Sequence, residues 1–275
     1  MRLTREVRFF HGRDAPGSSP DRRGNRWAGP DRSDPVPPFW AIRATVEGTV
    51  DARTGYLCDI KQIDDVVRGQ VREALFPQGL DQEDLRVLQL ARRLATAHLA
   101  VAPKFLPPTR LSSLQLSISP FTHLTTHSGS AIFDQGESIM VRLTQSFEFS
   151  ASHRLYCAEL SDEENRRLFG KCSNPHGHGH NYLIEVTVGG LTEQGSGPVF
   201  DVCALDRIVG ELVIEPLDHK NLNVECAEFA TLNPTVENIA RVIFQRLAGK
   251  LGDQRLLSVR VWETPKTRAE YSGEA

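Results

Sequence analysis

An internal repeat limits the folds open to this chain more than any other feature of its sequence. Residues 44–75 (ATVEGTVDARTGYLCDIKQIDDVVRGQVREAL) align without a gap to residues 186–217 (VTVGGLTEQGSGPVFDVCALDRIVGELVIEPL) at an offset of 142. Ten of the 32 positions are identical, whereas ordinary composition would give roughly two by chance. The apolar positions also agree, as in Ile63 with Leu205. We therefore predict two copies of one fold.

The second copy gives the clearer pattern of secondary structure. Apolar residues alternate over 140–150 and 182–188, which predicts strands. From residue 203 the period changes to that of an amphipathic helix, and a second helix is predicted over 235–248. A further strand over 256–262 and a closing hairpin complete the order ββααββ. This order indicates an α+β unit in which helices cover one face of an antiparallel sheet.

The first copy has the same middle but a different beginning. Residues 11–38 are rich in Gly, Pro, Arg and Asp, which predicts a long loop or a disordered segment. Residues 121–135 are expected to hold the last strand and the connection to the second copy. The predicted domains are therefore residues 1–135 and residues 136–275.

Composition and charge exclude several classes of function. The hydrophobic content of 40% and charged content of 24% are typical of a soluble globular protein. A net charge of −3 gives no electrostatic case for nucleic acid or an anionic membrane. No apolar run approaches the roughly 18 residues that span a bilayer, and the first ten residues carry charges where a signal peptide needs an apolar core. A cytoplasmic location and reduced thiols are therefore expected for the chain and its five cysteines.

Histidines concentrate in the second copy, around the stretch CSNPHGHGHNY at residues 172–182. His178 and His180 are two residues apart at the start of a predicted strand, so both side chains point to one face. His153 ends the preceding strand and comes close if the two strands pair. Three imidazoles with an open position suit catalytic zinc, although they also suit iron, copper and nickel. The alternative is a flexible turn with exposed histidines, and His176 is the weakest candidate ligand because it precedes the strand.

Three further features are candidates for acid/base chemistry and binding. Cys172 is either a small buried residue or, near a cation, a thiolate that can act as base or nucleophile. Asp218 beside His219 is either a polar turn or a carboxylate that orients an imidazole for proton transfer. Glu263, near the end of a strand, is either a rim residue or an acceptor for a planar amidine-like group.

Taken together, these residues resemble one family. FSASHRL, LSDEENRRLFGKCSNPHGHGHNY, PLDHKNLN, PTVEN and VWET stand in the order found in 6-pyruvoyltetrahydropterin synthases, over about residues 140–275. The resemblance implies the tunnelling fold (T-fold), whose unit is ββααββ, and a homo-oligomer with active sites at subunit interfaces. It also implies the following roles: His153, His178 and His180 as zinc ligands; Cys172, Asp218 and His219 as catalytic residues; Glu263 and Thr235 as pterin-binding residues.

The reaction that the resemblance implies is conversion of 7,8-dihydroneopterin triphosphate to 6-pyruvoyltetrahydropterin with loss of triphosphate. Zinc is the expected cofactor and no redox cofactor is required. The related 6-carboxytetrahydropterin synthases of the queuosine pathway are an alternative. Their shorter interval between cysteine and HGH is matched here only by His176, whereas Cys172 lies six residues before His178 as in the pyruvoyl enzymes. A non-enzymatic pterin-binding scaffold is the third possibility.

The first copy lacks the site residues. At the offset of 142, His178 and His180 correspond to Val36 and Pro38, and Asp218 corresponds to Phe76. No glutamate matches Glu263. We therefore predict a first domain without metal or catalysis, whose histidines serve ordinary surface or packing roles: His11, His98, His123 and His127.

Overall fold

The computed structural model describes residues 1–10, 39–77, 86–128, 132–133, 136–137, 140–191 and 200–273. These residues form two compact units. The first comprises Met1–Leu143 with Gly190–Pro198, and the second comprises Thr144–Gly189 with Val199–Ala275.

The first unit is an antiparallel sheet with helices between its second and third strands. The sheet order is β1-β2-β3-β4, and each neighbouring pair is antiparallel. Its elements are β1 (Arg2–Phe10), β2 (Phe39–Gly48), α1 (Ile60–Val66), a π-helical turn (Val67–Val71), α2 (Arg72–Leu75), α3 (Val87–Val101), a 3₁₀ turn (Ala102–Lys104), β3 (Thr109–Ser119) and β4 (Thr122–His127). A short ribbon follows, made of β5 (Ile132–Phe133) and β6 (Gly136–Glu137).

Alternate side chains of β2 are buried and form part of the core of this unit. Trp40, Ile42, Ala44 and Val46 are buried, while the residues between them are less so. Because successive side chains of a strand point to opposite faces, these four share one face of the sheet. Helix α3 contributes its own apolar stripe at helical spacing to the core: Leu90, Ala91, Leu94, Ala97 and Val101.

The second unit repeats this plan and adds short elements. Its strand order is β7-β8-β10-β11, and the two residues of β9 pair in parallel with β7. Its elements are β7 (Met140–His153), α4 (Asp162–Phe169), a 3₁₀ turn (Gly170–Ser173), β8 (His178–Leu191), α5 (Val202–Val209), a π-helical turn (Gly210–Ile214), α6 (Glu215–Leu217), β9 (Lys220–Asn221), α7 (Leu222–Glu225), a 3₁₀ turn (Ala227–Ala230), α8 (Val236–Leu247), β10 (Arg255–Thr264) and β11 (Thr267–Tyr271).

The core of the second unit contains the buried face of β8 and one side of the long helix α8. Tyr182, Ile184, Val186 and Val188 alternate along β8 and are fully buried. Helix α8 contacts β10 and β11 and adds a stripe of apolar residues at helical spacing: Ile239, Ala240, Val242, Ile243 and Leu247. The histidines stand at the end of β7 and at the start of β8.

In both units, an aspartate cap and a π-helical turn shape the helix that follows the second strand. Asp59 caps α1 by accepting a hydrogen bond from the Lys61 amide, and Asp201 caps α5 by accepting one from the Ala204 amide. Each side chain satisfies an amide that has no partner within its helix. In each unit the capped helix then passes into a π-helical turn, a distortion that is rare in helices generally.

The structure confirms the predicted α+β class and extends the predicted elements. The strand predicted over 182–188 runs from His178 to Leu191, and the helix predicted over 235–248 is Val236–Leu247. Helix α4 was not predicted, although its capping box of Ser161 and Glu164 is a sequence signal. The loop predicted over 11–38 lies outside the described residues, and the boundary near residue 135 stays a prediction. None of the described helices is long and apolar enough to cross a bilayer.

Candidate active site

Three histidines from two strands of the second unit converge at one place. His153 is the last residue of β7, and His178 and His180 stand at the start of β8. The Nε2 atoms of His153 and His178 are 3.2 Å apart. The ring centroid of His180 lies 5.2 Å from that of His153 and 4.8 Å from that of His178. The structure thus brings together the three residues that the sequence singled out.

The turn before helix α8 fixes the orientation of His153. Its side chain is fully buried, and its Nδ1 lies 2.7 Å from the carbonyl oxygen of Pro234. Because a carbonyl can only accept, Nδ1 carries the proton and the lone pair of Nε2 faces the other two histidines. Thr235 begins α8 at this turn, and its hydroxyl accepts a hydrogen bond from the Asn238 amide at 3.3 Å.

One glycine of the HGHGH stretch is required by geometry. Gly177 has φ +70°, and a Cβ at this position would lie 2.9 Å from the carbonyl oxygen of His153. Any other residue would therefore be strained and would also push β7 away. His176, just before this turn, is exposed and lies outside the group of histidines.

Glu263 completes the group from a third strand. The register between β10 and β11 shifts between Trp262 and Thr264, so Glu263 is the extra residue of a bulge. A bulge bends its strand and can redirect a side chain. Oε1 of Glu263 lies 3.3 Å from Nε2 of both His153 and His180. Contact with His153 is the main cause of a lowered pKa of the Glu263 carboxyl, and burial opposes this shift.

The donor set fits a metal ion. One ring nitrogen each from His153, His178 and His180 and one carboxylate oxygen of Glu263 all lie within 4.8 Å of one another. Two nitrogens bound tetrahedrally to one zinc ion lie about 3.3 Å apart, close to the 3.2 Å between the Nε2 atoms of His153 and His178. Burial lowers the pKa values of His178 and His180, with further contributions from neighbouring histidines, which favours the neutral imidazole that binds metals.

Cys172 lies on the 3₁₀ turn that precedes β8, the strand that begins with His178. Its carbonyl accepts a hydrogen bond from the Leu155 amide at 2.8 Å, which ties the turn to the segment after β7. The thiol is partly exposed. Burial, and after it the charge of Glu263, raise the pKa of the Cys172 thiol. The group is therefore a protonated thiol at neutral pH, and a bound cation would act in the opposite direction.

Asp218 and His219 form a pair at the end of α6. Oδ2 of Asp218 is 2.8 Å from Nδ1 of His219, and Oδ1 accepts a hydrogen bond from the Ser150 amide at 2.8 Å. The Ser150 amide, followed by His219, lowers the pKa of the Asp218 carboxyl. Among the described residues, neither side chain hydrogen-bonds to Cys172 or to the three histidines.

His219 has an unusual backbone conformation. Its φ is +56°, whereas every other described residue with positive φ is glycine. Its amide is held by the carbonyl oxygen of Ser150 at 2.6 Å, and 82% of its side chain is exposed. A non-glycine residue in this region costs roughly 1–2 kcal/mol and is often found at functional sites. The conformation presents the imidazole to solvent while Asp218 orients it.

The sequence reasoning missed two groups at the site. The carbonyl of Pro234, which orients His153, is backbone and leaves no signal of its own in the sequence. Tyr182 did leave one, because it lies at the same parity along β8 as His178 and His180 and must share their face. Its side chain is fully buried behind the histidines.

The fold and the donor set define a class of site, in which three histidines suited to a metal ion lie beside a thiol and a carboxylate. A sequence model of the family described as 6-pyruvoyl tetrahydropterin synthase matches residues 142–274. Human 6-pyruvoyl tetrahydrobiopterin synthase is 43% identical over 139 residues, which cover 50% of this chain and 96% of the human protein. The chain therefore belongs to the 6-pyruvoyl tetrahydropterin synthase family, as the sequence motifs predicted.

Two further similarities involve the same share of the chain. The 6-carboxy-5,6,7,8-tetrahydropterin synthase of Haemophilus influenzae is 32% identical over 152 residues, covering 48% of this chain and 99% of that protein. The solved structure of Caenorhabditis elegans 6-pyruvoyl tetrahydropterin synthase is 38% identical, with a TM-score of 0.45, and covers 49% of this chain and 96% of that one. The prediction of a lyase of this kind is confirmed at the level of the family.

Proposed function

We propose that this chain is a zinc-dependent enzyme that converts 7,8-dihydroneopterin triphosphate to 6-pyruvoyltetrahydropterin and releases triphosphate. The observation that carries the proposal is the convergence of three imidazoles and Glu263, in a unit that also holds Cys172 on the turn before β8. Family membership supports the pterin substrate. A cytoplasmic location and a homo-oligomer with interfacial sites belong to the same proposal.

His153, His178 and His180 would hold the metal ion, and zinc is the ion we propose. When bound, it supplies a Lewis acid that acidifies hydroxyl and adjacent C–H groups of the substrate side chain. The protein's part is orientation. The Pro234 carbonyl fixes the tautomer of His153, as hydrogen-bond partners of metal-ligating histidines commonly do.

Glu263 would anchor the pterin ring, with Thr235 nearby at the start of α8. A carboxylate can accept two parallel hydrogen bonds from the 2-amino group and N3–H of a pterin, as it does from a guanidinium. The lowered pKa of Glu263 supports this role, because the group is then ionised at neutral pH. Thr235 already uses its hydroxyl as a helix cap, so its contribution to binding would be secondary.

Cys172 and His219 would move protons. The reaction shifts oxidation state within the substrate and eliminates triphosphate, so it needs bases and acids but no external oxidant. Cys172 would remove a proton from the substrate side chain and return it. His219, oriented by Asp218 at 2.8 Å, would serve as the second acid/base group. Because the pKa of Cys172 is raised, Cys172 can act as a base only if a nearby cation favours its thiolate form.

Two observations favour the pyruvoyl product over the carboxy product. The shorter cysteine-to-histidine spacing would place its first ligand at His176, which is exposed and outside the donor group. The human pyruvoyl relative is 43% identical to this chain and the Haemophilus carboxy relative 32%. The longer spacing, from Cys172, ends at His178, which belongs to the donor group.

We also propose that the two units are copies of one T-fold, of which only the second is catalytic. Both units have two strands, helices and two strands in that order. Both have an aspartate cap followed by a π-helical turn. In each unit the last hairpin has a register shift near the end of its first strand. An α+β fold does not require a bulge or a π-helical turn. The irregularities that both units share therefore support the repeat more strongly than does their common α+β class.

Product analysis tests the proposed function. The full chain is loaded with zinc, incubated with 7,8-dihydroneopterin triphosphate, and its products are identified by mass spectrometry. We expect 6-pyruvoyltetrahydropterin and one equivalent of triphosphate. A 6-carboxy product with acetaldehyde would assign the chain to the other branch of the family. Absence of turnover with zinc and pterin both bound would favour a scaffold that binds pterin.

A further inference from the structure

Tyr182 is held in a fixed orientation directly behind the histidines. Its side chain has no exposed surface. Its ring stacks on Phe149 at a centroid distance of 4.9 Å and an interplanar angle of 16°. It meets the ring of His180 at 5.7 Å and 68°, and that of His153 at 6.2 Å and 88°. Rings packed on both sides leave the hydroxyl little freedom to move.

The hydroxyl of Tyr182 has no hydrogen-bond partner among the described residues, although it is fully buried. Buried tyrosine hydroxyls nearly always find a partner, and one left without a partner destabilises the fold. On β10, Val261 pairs with Ile184 and Trp262 with Leu183, so this register places Glu263 opposite Tyr182 and on the same face of the sheet. A tyrosine hydroxyl can donate to a carboxylate, so Glu263 is an acceptor on the neighbouring strand.

Two partners compete for the Glu263 carboxylate, namely a metal ion on the histidines and the substrate. Oε1 of Glu263 lies 3.3 Å from Nε2 of both His153 and His180, two nitrogens that would face a bound metal ion. A metal ion that takes the histidine lone pairs leaves the carboxylate two options. It can become a ligand of the metal, or it can turn toward the substrate. A donor beside the carboxylate would decide between them.

We propose that Tyr182 is a positioning residue whose hydroxyl donates a hydrogen bond to the Glu263 carboxylate once the histidines hold a metal ion. The bond keeps Glu263 off the metal and directs it toward the pterin. This role rests on the proposed function in so far as it assumes a metal on the three histidines. It explains why a strand that is otherwise aliphatic on its buried face has a tyrosine beside the site.

Cobalt spectroscopy tests this role without any substrate. Co²⁺ substitutes for Zn²⁺, and its visible absorption depends on the number and type of ligands. We expect Glu263→Gln to leave the wild-type spectrum unchanged, because Glu263 is not a ligand. Tyr182→Phe should change the band positions or intensities, because the released carboxylate binds the metal. The double variant Tyr182→Phe/Glu263→Gln should restore the wild-type spectrum.

The matched control is Tyr271→Phe, which removes the hydroxyl of a tyrosine on β11 whose ring contacts Phe244 instead of the histidines. It should have the wild-type spectrum. A wild-type spectrum in Tyr182→Phe would overturn the proposal, and so would a changed spectrum in Glu263→Gln. The thermal stability of metal-free Tyr182→Phe should equal or exceed that of the wild type, because the lost hydroxyl had no partner.

Binding of neopterin, followed by its fluorescence, gives a second readout. Tyr182→Phe should weaken neopterin binding to the cobalt protein about tenfold or more, as expected for a lost hydrogen bond to a charged group. The double variant should bind no more weakly than Glu263→Gln alone. Losses that add in the double variant would show that Tyr182 does not act through Glu263.

Failure of the proposed function would look different. A cobalt protein that gives the expected spectra but forms no product removes the proposed reaction and leaves the role of Tyr182 in place. A chain that takes up no cobalt overturns both, because the role of Tyr182 requires metal-bound histidines.

Discussion

In the second unit, Tyr182 on β8 stacks on Phe149 and faces three histidines. At the repeat offset of 142, Trp40 on β2 takes the place of Tyr182, and Phe76 that of Asp218. Trp40 lies opposite Phe9 across the strand pair, and its ring is 4.6 Å from that of Phe76. The first unit thus has a cluster of aromatic rings where the second has Tyr182 and the aspartate that contacts His219.

The bulge in the last hairpin leads to the same contrast. In the second unit the register shift between Trp262 and Thr264 sets apart Glu263. In the first unit the shift falls between Ser117 and Ser119, which sets apart Ile118. Both units have this bulge, but only the bulge of the second unit holds a charged residue. The sheet, the helix caps and the bulge therefore form without the proposed site residues, whereas the proposed reaction depends on a few side chains that these elements position.

The largest expected effect comes from removing a proposed metal ligand of the second unit. His178→Ala should weaken zinc binding at least about 100-fold and reduce turnover to background, because two imidazoles cannot hold the ion against solvent. Zinc content after dialysis and product formation measure this. His176→Ala is the matched control two residues away, and it should retain both zinc and activity. Loss of zinc in the control instead would move the site onto His176.

Removing the proposed base should leave binding intact. Cys172→Ala should lower turnover about 10²–10⁴-fold, the range for an acid/base group, while zinc content and pterin affinity stay at wild-type values. Cys203→Ala, at an exposed cysteine on α5, should have no effect. Full turnover in Cys172→Ala would show that another group removes the proton.

The first unit has a buried histidine of its own, and it should make that unit sensitive to acid. His98 on α3 bridges Thr126 at 2.9 Å and Ser128 at 2.7 Å. Burial, together with the charge of His127, lowers the pKa of His98 to about 4 from 6.5. The folded state thus prefers the neutral ring, so its contribution is present above pH 6.5 and is lost as the pH falls toward 4.

This difference in pKa corresponds to about 3 kcal/mol of unfolding free energy. Hydrogen exchange of α3, measured between pH 7 and pH 4, should show the loss. His98→Gln removes the titrating group and should flatten this dependence even if it lowers stability at all pH values. An unchanged pH dependence in that variant would assign the acid sensitivity to other groups.

The smallest effect concerns a contact that each unit makes in its own way. Asp64 on α1 forms two hydrogen bonds with Arg5 at 2.8 Å, whereas Asp206 on α5 accepts one from Gln145 at 3.1 Å. Arg5→Gln gives the first unit the second unit's neutral pairing. It should cost about 0.5–1 kcal/mol, because both groups are partly exposed. Hydrogen exchange of α1 at low and high salt measures it, and a salt dependence equal to that of the wild type would contradict the ion-pair explanation.

Sequence periodicity predicted the frame of the second unit because alternation and helical spacing follow directly from burial. It also predicted that His153, His178 and His180 lie close together, because strand parity puts His178 and His180 on one face and pairing of the two strands brings His153 near them. It did not predict that Glu263 would approach the histidines, because that contact depends on the pairing of β10 with β8, which alternation within one strand does not give. It did not predict α4 either, whose residues are mostly charged and have no apolar stripe.

The substrate-binding and catalytic roles remain predictions for a physical reason. The pairing of Asp218 with His219 follows from their being neighbours, but the distance of that pair from a bound substrate does not follow from any local pattern. Thr235 shows the same limit, because a residue type favoured at helix starts is occupied in capping α8 whether or not a pterin binds beside it.

The hydrogen bond from His153 to the carbonyl of Pro234 joins residues 81 positions apart in the chain. The entropy of closing a loop of that length must be overcome before the contact can form. His178 lies 25 positions from His153, so that contact closes a shorter loop, but the carbonyl that fixes the tautomer of His153, a proposed metal ligand, belongs to the turn before α8. A chain in which α8 has not docked would therefore lack the contact that fixes the tautomer of His153. Tight metal uptake would then mark the end of folding, and the ion would select for chains in which α8 has already docked.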